Sequence, residues 1–197
     1  MTERQSFDYP DPQMGLVLQH FYEQHPEVVD RAGQEFFAYV QATQERIPKE
    51  KIEQLFNEWL VYDFRLKTGK TALETYIYRN PDELDEDKLK LMQQAGESSY
   101  VGHFWIKTVN AKTQTLVLEE CGSDASFKVY DATASQSIQS NAGLVAARLI
   151  QLDGNWFFAS DPVFFLPIPS SEDGERLPFI DLVKLHYGIW TPPSNSA

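Results

Sequence analysis

Residues 50–77 read EKIEQLFNEWLVYDFRLKTGKTALETYI. Ile52, Leu55, Phe56, Trp59 and Leu60 recur at helical spacing and form one apolar stripe, while Glu50, Glu53, Asn57 and Glu58 fill the other side. Pro48 suits the first turn, where its missing N–H is not needed. The run continues through Tyr62, Asp63 and Phe64 and predicts a stop at Gly69, a residue able to take a left-handed cap at little cost. Thr71 and Glu74 have the spacing of a capping box. They predict a second, shorter helix that turns Leu73, Tyr76 and Ile77 inward.

The segment Thr68-Gly69-Lys70-Thr71 invites a phosphate-loop reading. That motif needs an earlier glycine where Phe64 stands and a strand before it, whereas a helix precedes it here. Nucleotide binding through this segment is therefore set aside.

Toward the N-terminus, Asp11-Pro12 predicts a helix start, with Met14, Val17, Leu18 and Phe21 as its stripe. His25-Pro26 interrupts that helix, and the next carries Val29, Ala32, Phe36, Phe37 and Val40. Toward the C-terminus, Asn80-Pro81 predicts a helix over 82–94 whose acids come first and whose lysines follow, in the sense that suits the helix dipole. Its acidic run lacks the glycine of a calcium loop.

Beyond Gly96 the rhythm changes. Tyr100, Gly102, Phe104 and Ile106 alternate with Val101, His103, Trp105 and Lys107, a strand period. A turn at 110–113, returning strands at 115–119 and 126–131, a polar loop over 132–142, a long strand over 143–152 and a hairpin at Asp153-Gly154 follow, with Val163–Ile168 as a last short strand. Close turns between short strands predict a small antiparallel barrel or curled sheet. Phe179, Ile180, Val183, Tyr187 and Trp190 predict a terminal helix. The expected organisation is a helical part over 1–96, a barrel over 97–168 and a linker with a C-terminal helix over 169–197, an α+β protein.

The chain of 197 residues carries 29 acidic against 17 basic side chains, a formal charge of −12. That balance opposes affinity for nucleic acid or anionic membranes. Acids outnumber bases in the strand-rich half too, which lowers an RNA-associated barrel as an alternative. No apolar run approaches the ~20 residues that span a bilayer, and the first residues do not form a signal peptide. Cys121 alone allows no internal disulfide. A cytoplasmic location is the expectation.

No chemistry announces itself. Glu119 and Glu120 are neighbours on a strand and point to opposite faces. His20, His25, His103 and His186 make no metal-ligand pattern, and Cys121 lacks a nucleophile's surroundings. No catalytic residue, metal or cofactor is assigned. Two charges stand out. Arg148 falls in the apolar row Leu144, Ala146, Ile150 and Leu152, and Asp63 lies between Tyr62 and Phe64, close to Trp59. An unpaired charge there would cost several kcal/mol, roughly. Pairing of Asp63 or Glu58 with Arg148 is expected, with a ligand or hydrolytic site near Asp63 and Arg148 as the alternative. The aromatic cluster Trp156, Phe157, Phe158, Phe164 and Phe165 is expected to be covered by the terminal helix, with contact to a partner through an outward set that includes Trp156 as the alternative.

The run Phe56-Asn57-Glu58-Trp59-Leu60-Val61-Tyr62-Asp63-Phe64, with Gly69 and Thr71 after it and Ala147-Arg148-Leu149 further on, resembles a pattern in uncharacterised bacterial proteins, some of which carry a cysteine-rich SEC-C tail. The resemblance covers about residues 50–160 and singles out Glu58, Trp59, Asp63, Gly69, Thr71 and Arg148. It implies a helical part followed by a small β-rich segment, and no activity. Cys121 by itself cannot form the zinc-binding tail. The expectation is a non-enzymatic module that binds another protein, with Glu58, Trp59, Asp63, Arg148 and Trp156 as candidate binding residues.

Overall fold

The computed structural model describes residues 9–40, 49–138, 140, 143–160 and 162–165, and the side chains of these apart from residues 39, 40, 49–51 and 163–165. Among them are six helices and six strands, in an α+β arrangement. The predicted terminal helix lies outside the described residues. Two compact units emerge. Residues 13–96 make the helical one; residues 97–165 and the short lead-in 9–12 make the other, which is a barrel.

The helical unit holds α1 (Met14–Gln24), α2 (Pro26–Val40), α3 (Lys49–Tyr62), α4 (Ala72–Arg79) and α5 (Glu86–Ser98). The predicted stripes are its core. Val17 and Phe21 of α1, Ala32 and Phe36 of α2, Leu55, Phe56, Trp59 and Leu60 of α3, and Leu73 and Tyr76 of α4 are all buried. Each large one contributes about 1.5–3 kcal/mol by leaving water. His25 closes α1, its N–H donating to Phe21 O at 3.0 Å, and opens α2, its carbonyl accepting from Val28 N at 2.9 Å. Pro26 makes that division sharp, because it cannot continue the first helix and is preset for the start of the second.

Three helix boundaries differ from the sequence reading. α1 begins after a left-handed Gln13 rather than at Asp11-Pro12. α3 ends at Tyr62, well before Gly69, because the N–H groups of Asp63 and Phe64 both donate to Trp59 O at 2.9 Å and turn the chain away. Gly69, at φ +81°, serves instead in a separate turn where Leu66 N reaches Lys70 O at 2.9 Å. Asn80, at φ 43°, caps the end of α4 and brackets Leu84 with its amide rather than opening a helix. α5 begins later, at Glu86, with Asp85 Oδ1 accepting from Lys88 N. The capping box of α4 is as the spacing predicted: Thr71 Oγ1 accepts from Glu74 N and Glu74 Oε2 accepts from Thr71 N.

The second unit contains β1 (Tyr100–Asn110), β2 (Thr115–Glu120), β3 (Ser126–Tyr130), α6 (Ala132–Ser137), β4 (Leu144–Leu152), β5 (Asn155–Phe158) and β6 (Val163–Phe165). The order β1-β2-β3-β5-β4 closes into a barrel through β1 pairing with β4, and β6 adds to β4. All pairs are antiparallel except β3 with β5. That exception to the antiparallel expectation follows from connectivity: the β4–β5 hairpin folds back beside β3 after the crossover through α6. With a helix between β3 and β4, this is the strand order of the five-stranded Greek-key barrel of OB type. α6 falls where the sequence predicts a polar loop over 132–142. Its small residues show no stripe, but Asp131 Oδ1 caps it by accepting from Ala134 N at 2.7 Å, and Ala134 and Ser135 are buried.

The barrel core is Phe104, Ile106, Leu116, Leu118, Val129, Val145, Ala147 and Leu149, with Phe158. Gly102 lies beneath the Phe104 ring, where a Cβ would stand 2.9 Å from Phe104 Cζ. The opposite row of β4, Leu144, Ala146, Arg148, Ile150 and Leu152, is buried too. Asp153 and Gly154 both take positive φ in the tight β4–β5 turn. Tyr9 packs edge-on against Phe157 at 4.9 Å.

Candidate functional site

A cleft of about 390 Å³ opens within the helical unit, a volume in the range of ligand pockets. Three pieces of chain build it. The end of α1 and the start of α2, joined at His25, contribute Phe21, His25, Val28 and Arg31, the last three spaced three apart and therefore on one face. α4 contributes Thr75 and Arg79, spaced four apart. The connection between α3 and α4 contributes Leu66, Lys67 and Thr68. Phe21, Val28 and Leu66 give the cleft its apolar part.

The charge is concentrated. Arg31, Lys67 and Arg79 line the cleft, with Glu27 as the one acid among the described residues of the lining, in a chain whose formal charge is −12. The Arg31 guanidinium lies over the Phe64 ring, 4.9 Å from its centre, a cation–π contact that also fixes the side chain. Arg79 Nη1 is 3.4 Å from His25 Nε2, and His25 Nδ1 is 3.7 Å from Glu27 Oε1. A guanidinium can only donate, so Nε2 is the accepting nitrogen in this arrangement.

Deeper in the unit, Thr75 is 9% exposed, and its Oγ1 is buried without a hydrogen-bond partner among the described residues. A buried hydroxyl normally finds a partner. His20 packs edge-on against His25 and Tyr76. Its imidazole is held below the usual histidine range, first by burial and then by His25. Tyr76 donates to Asp82 Oδ2, and burial together with that bond raises its phenol well above the ordinary value.

The residues singled out from sequence fall in both units. Glu58, 7% exposed, and Trp59 are buried on α3, and Asp63 is half-buried just past its end. Trp59 packs against Phe36 at 5.6 Å and Phe64 at 5.2 Å. It therefore supports the ring under Arg31 without lining the cleft. In the barrel, Arg148 is buried and donates through Nη1 to Ser99 Oγ at 2.6 Å. Trp156 is half-buried on β5, edge-on to Phe127 at 5.1 Å and packed on the barrel core. The cleft residues were not proposed from sequence. Their local signal was charge: Arg65, Lys67, Lys70 and Arg79 cluster against Glu74 alone in an otherwise acidic chain.

Other chemistry is less well provided. Burial and the neighbouring Glu120 and Glu119 push the Cys121 thiol up to about 11, which leaves it protonated and a poor nucleophile at neutral pH. Among the described residues no group of three or more His, Cys, Asp or Glu is placed to hold a metal ion, and no helix is long and apolar enough to cross a membrane.

No curated protein and no solved structure matches the chain. A family model does, over residues 20–167, a span that takes in both the helices of the cleft and the barrel. The chain belongs to the family of unknown function DUF7986.

Proposed function

We propose that this chain is a non-enzymatic binding module that acts on another protein, and that it takes an acidic segment of that protein in the cleft of the helical unit. The observation that carries the reading is the gathering of Arg31, Lys67 and Arg79 around one cleft in a strongly acidic chain. Like charges held together are unfavourable until an anion answers them. The long-range field of the chain repels acidic partners in general, so the local site supplies selectivity for a segment that can reach it. The lining offers donors and an apolar floor; its histidine is already engaged with Arg79 and Glu27. The likeness of Phe56–Phe64 to SEC-C-associated bacterial proteins is compatible with an accessory role and adds no activity.

Fluorescence anisotropy with a labelled Asp/Glu-rich peptide tests this. Binding to the full chain should weaken as salt rises and vanish in Arg31→Glu/Arg79→Glu. Equal binding of a neutral peptide of the same length would remove the reading.

A second reading rests on the barrel. Its strand order is that of a fold whose strands and loops hold oligonucleotides, and on the outer side Lys128 lies over Tyr130, 5.2 Å from the ring centre. Against it, Lys107 is tied to Glu119 at 3.0 Å, and fold alone does not give function. Retention of single-stranded RNA by the chain, lost on Lys128→Glu, would favour it over the first.

A further inference from the structure

We infer that the group recognised in the cleft is a phosphate monoester dianion, carried on a phosphorylated side chain of the partner; this rests on the reading of the cleft as a site for a segment of another protein. Two independent features lead there. The first is charge. Among the described residues of the lining, Arg31, Lys67 and Arg79 bring three positive charges and Glu27 one negative, a balance of two that matches a phosphate carrying about −1.5 to −2 at neutral pH better than a single carboxylate.

The second is the supply of donors. Thr75 is nine-tenths buried and lines the cleft, and its Oγ1 has no hydrogen-bond partner among the described residues. A buried hydroxyl in that state calls for an acceptor from the ligand. Thr68 adds a second hydroxyl, and the two guanidiniums and Lys67 add charged N–H groups from other sides. Donors supplied by α2, α4 and the connecting loop suit three phosphoryl oxygens arranged around one phosphorus. A flat carboxylate can use fewer of them.

Phe21, Val28 and Leu66 leave apolar wall beside the polar end. The volume exceeds what a phosphoryl group fills and leaves room for the residues that flank it. This favours a peptide over free phosphate. Arg31, braced on Phe64, and Arg79, beside His25, are already oriented, so less ordering remains to be done on binding.

The test uses the full chain and three fluorescein-labelled probes: an acidic peptide with one central phosphoserine, the same peptide with serine, and the same with glutamate. The phosphopeptide should bind at least tenfold more tightly than either of the others. Thr75→Val keeps the shape and removes the hydroxyl, and Lys67→Gln alters an exposed residue. Each should cut that preference severalfold while circular dichroism stays unchanged. Equal affinity for all three peptides would overturn the phosphate assignment and leave the acidic-segment reading standing. Binding of none would overturn both. Competition by free O-phosphoserine as strong as by the phosphopeptide would overturn a peptide as the source of the phosphate.

Discussion

Arg79 Nη1 approaches His25 Nε2 to 3.4 Å, joining the last turn of α4 to the junction of α1 and α2. The contact links two of the stretches that line the cationic cleft. Because Arg79 is exposed, Arg79→Gln should change stability by less than about 0.5 kcal/mol. It should nevertheless weaken binding of an acidic peptide by roughly tenfold, the scale of a lost charge-assisted hydrogen bond. Paired urea titrations and anisotropy curves measure both. A large loss of stability with unchanged binding would assign Arg79 to the scaffold.

The capping box offers a cleaner stability test. Thr71 Oγ1 accepts from Glu74 N at 3.1 Å, Glu74 Oε2 accepts from Thr71 N at 2.7 Å, and Arg65 joins Glu74 at 3.2 Å. Thr71→Ala should cost about 1 kcal/mol, in the usual range for a lost N-cap. Thr71→Ser should retain most of it. Chemical denaturation checks the difference.

Gly102 tests the barrel. A Cβ there would stand 2.9 Å from Phe104 Cζ, and the Phe104 ring is fully buried, so it has little room to yield. Gly102→Ala should destabilise by about 1–3 kcal/mol, as overpacking of a core does. Gly15, with nothing within 4 Å of its added Cβ, should accept alanine without loss, since within a helix that exchange is favourable by up to about 1 kcal/mol. Thermal melts of the two variants should therefore move in opposite directions.

These features differ in how far the sequence reveals them. The stripe Ile52–Leu60 and the Thr71/Glu74 pair are local patterns, and periodicity plus capping chemistry are enough to find them. The alternation over 100–107 likewise announces β1. Helix ends were harder. Whether α3 stops at Tyr62 or nearer Gly69 depends on Trp59 O accepting two N–H groups, which leaves no mark on spacing. α6 was invisible because Ala132–Ser137 has no apolar stripe and is held by the Asp131 cap. The cleft draws on three separated stretches, and its residue types are those of ordinary surface. The local excess of bases near 65–79 is a mark they leave in the sequence, and the sequence reading does not use it. Arg148 was rightly placed in a buried apolar row, and Ser99 is a partner no spacing would have named.

His103 gives the pH dependence. Burial holds its imidazole down to about 4, from 6.5. The unfolded chain therefore binds the proton more readily than the folded one between those values. The stability contributed by the neutral form is complete above about pH 6.5 and is lost as pH falls toward about 4. Carboxylates titrate in the same region, so the comparison is with His103→Gln. The urea midpoint of the unsubstituted chain should fall more steeply between pH 6.5 and pH 4 than that of the variant. Parallel slopes would show that His103 titrates alike in both states.

Heteronuclear NMR of the full chain, titrated with the phosphoserine-containing acidic peptide, locates the site directly. Amide and side-chain shifts should cluster on Val28, Arg31, Lys67, Thr75 and Arg79 and saturate with one curve. Shifts gathered on Lys128 and Tyr130 of the barrel, with the cleft residues still, would contradict the assignment of the cleft as the binding site.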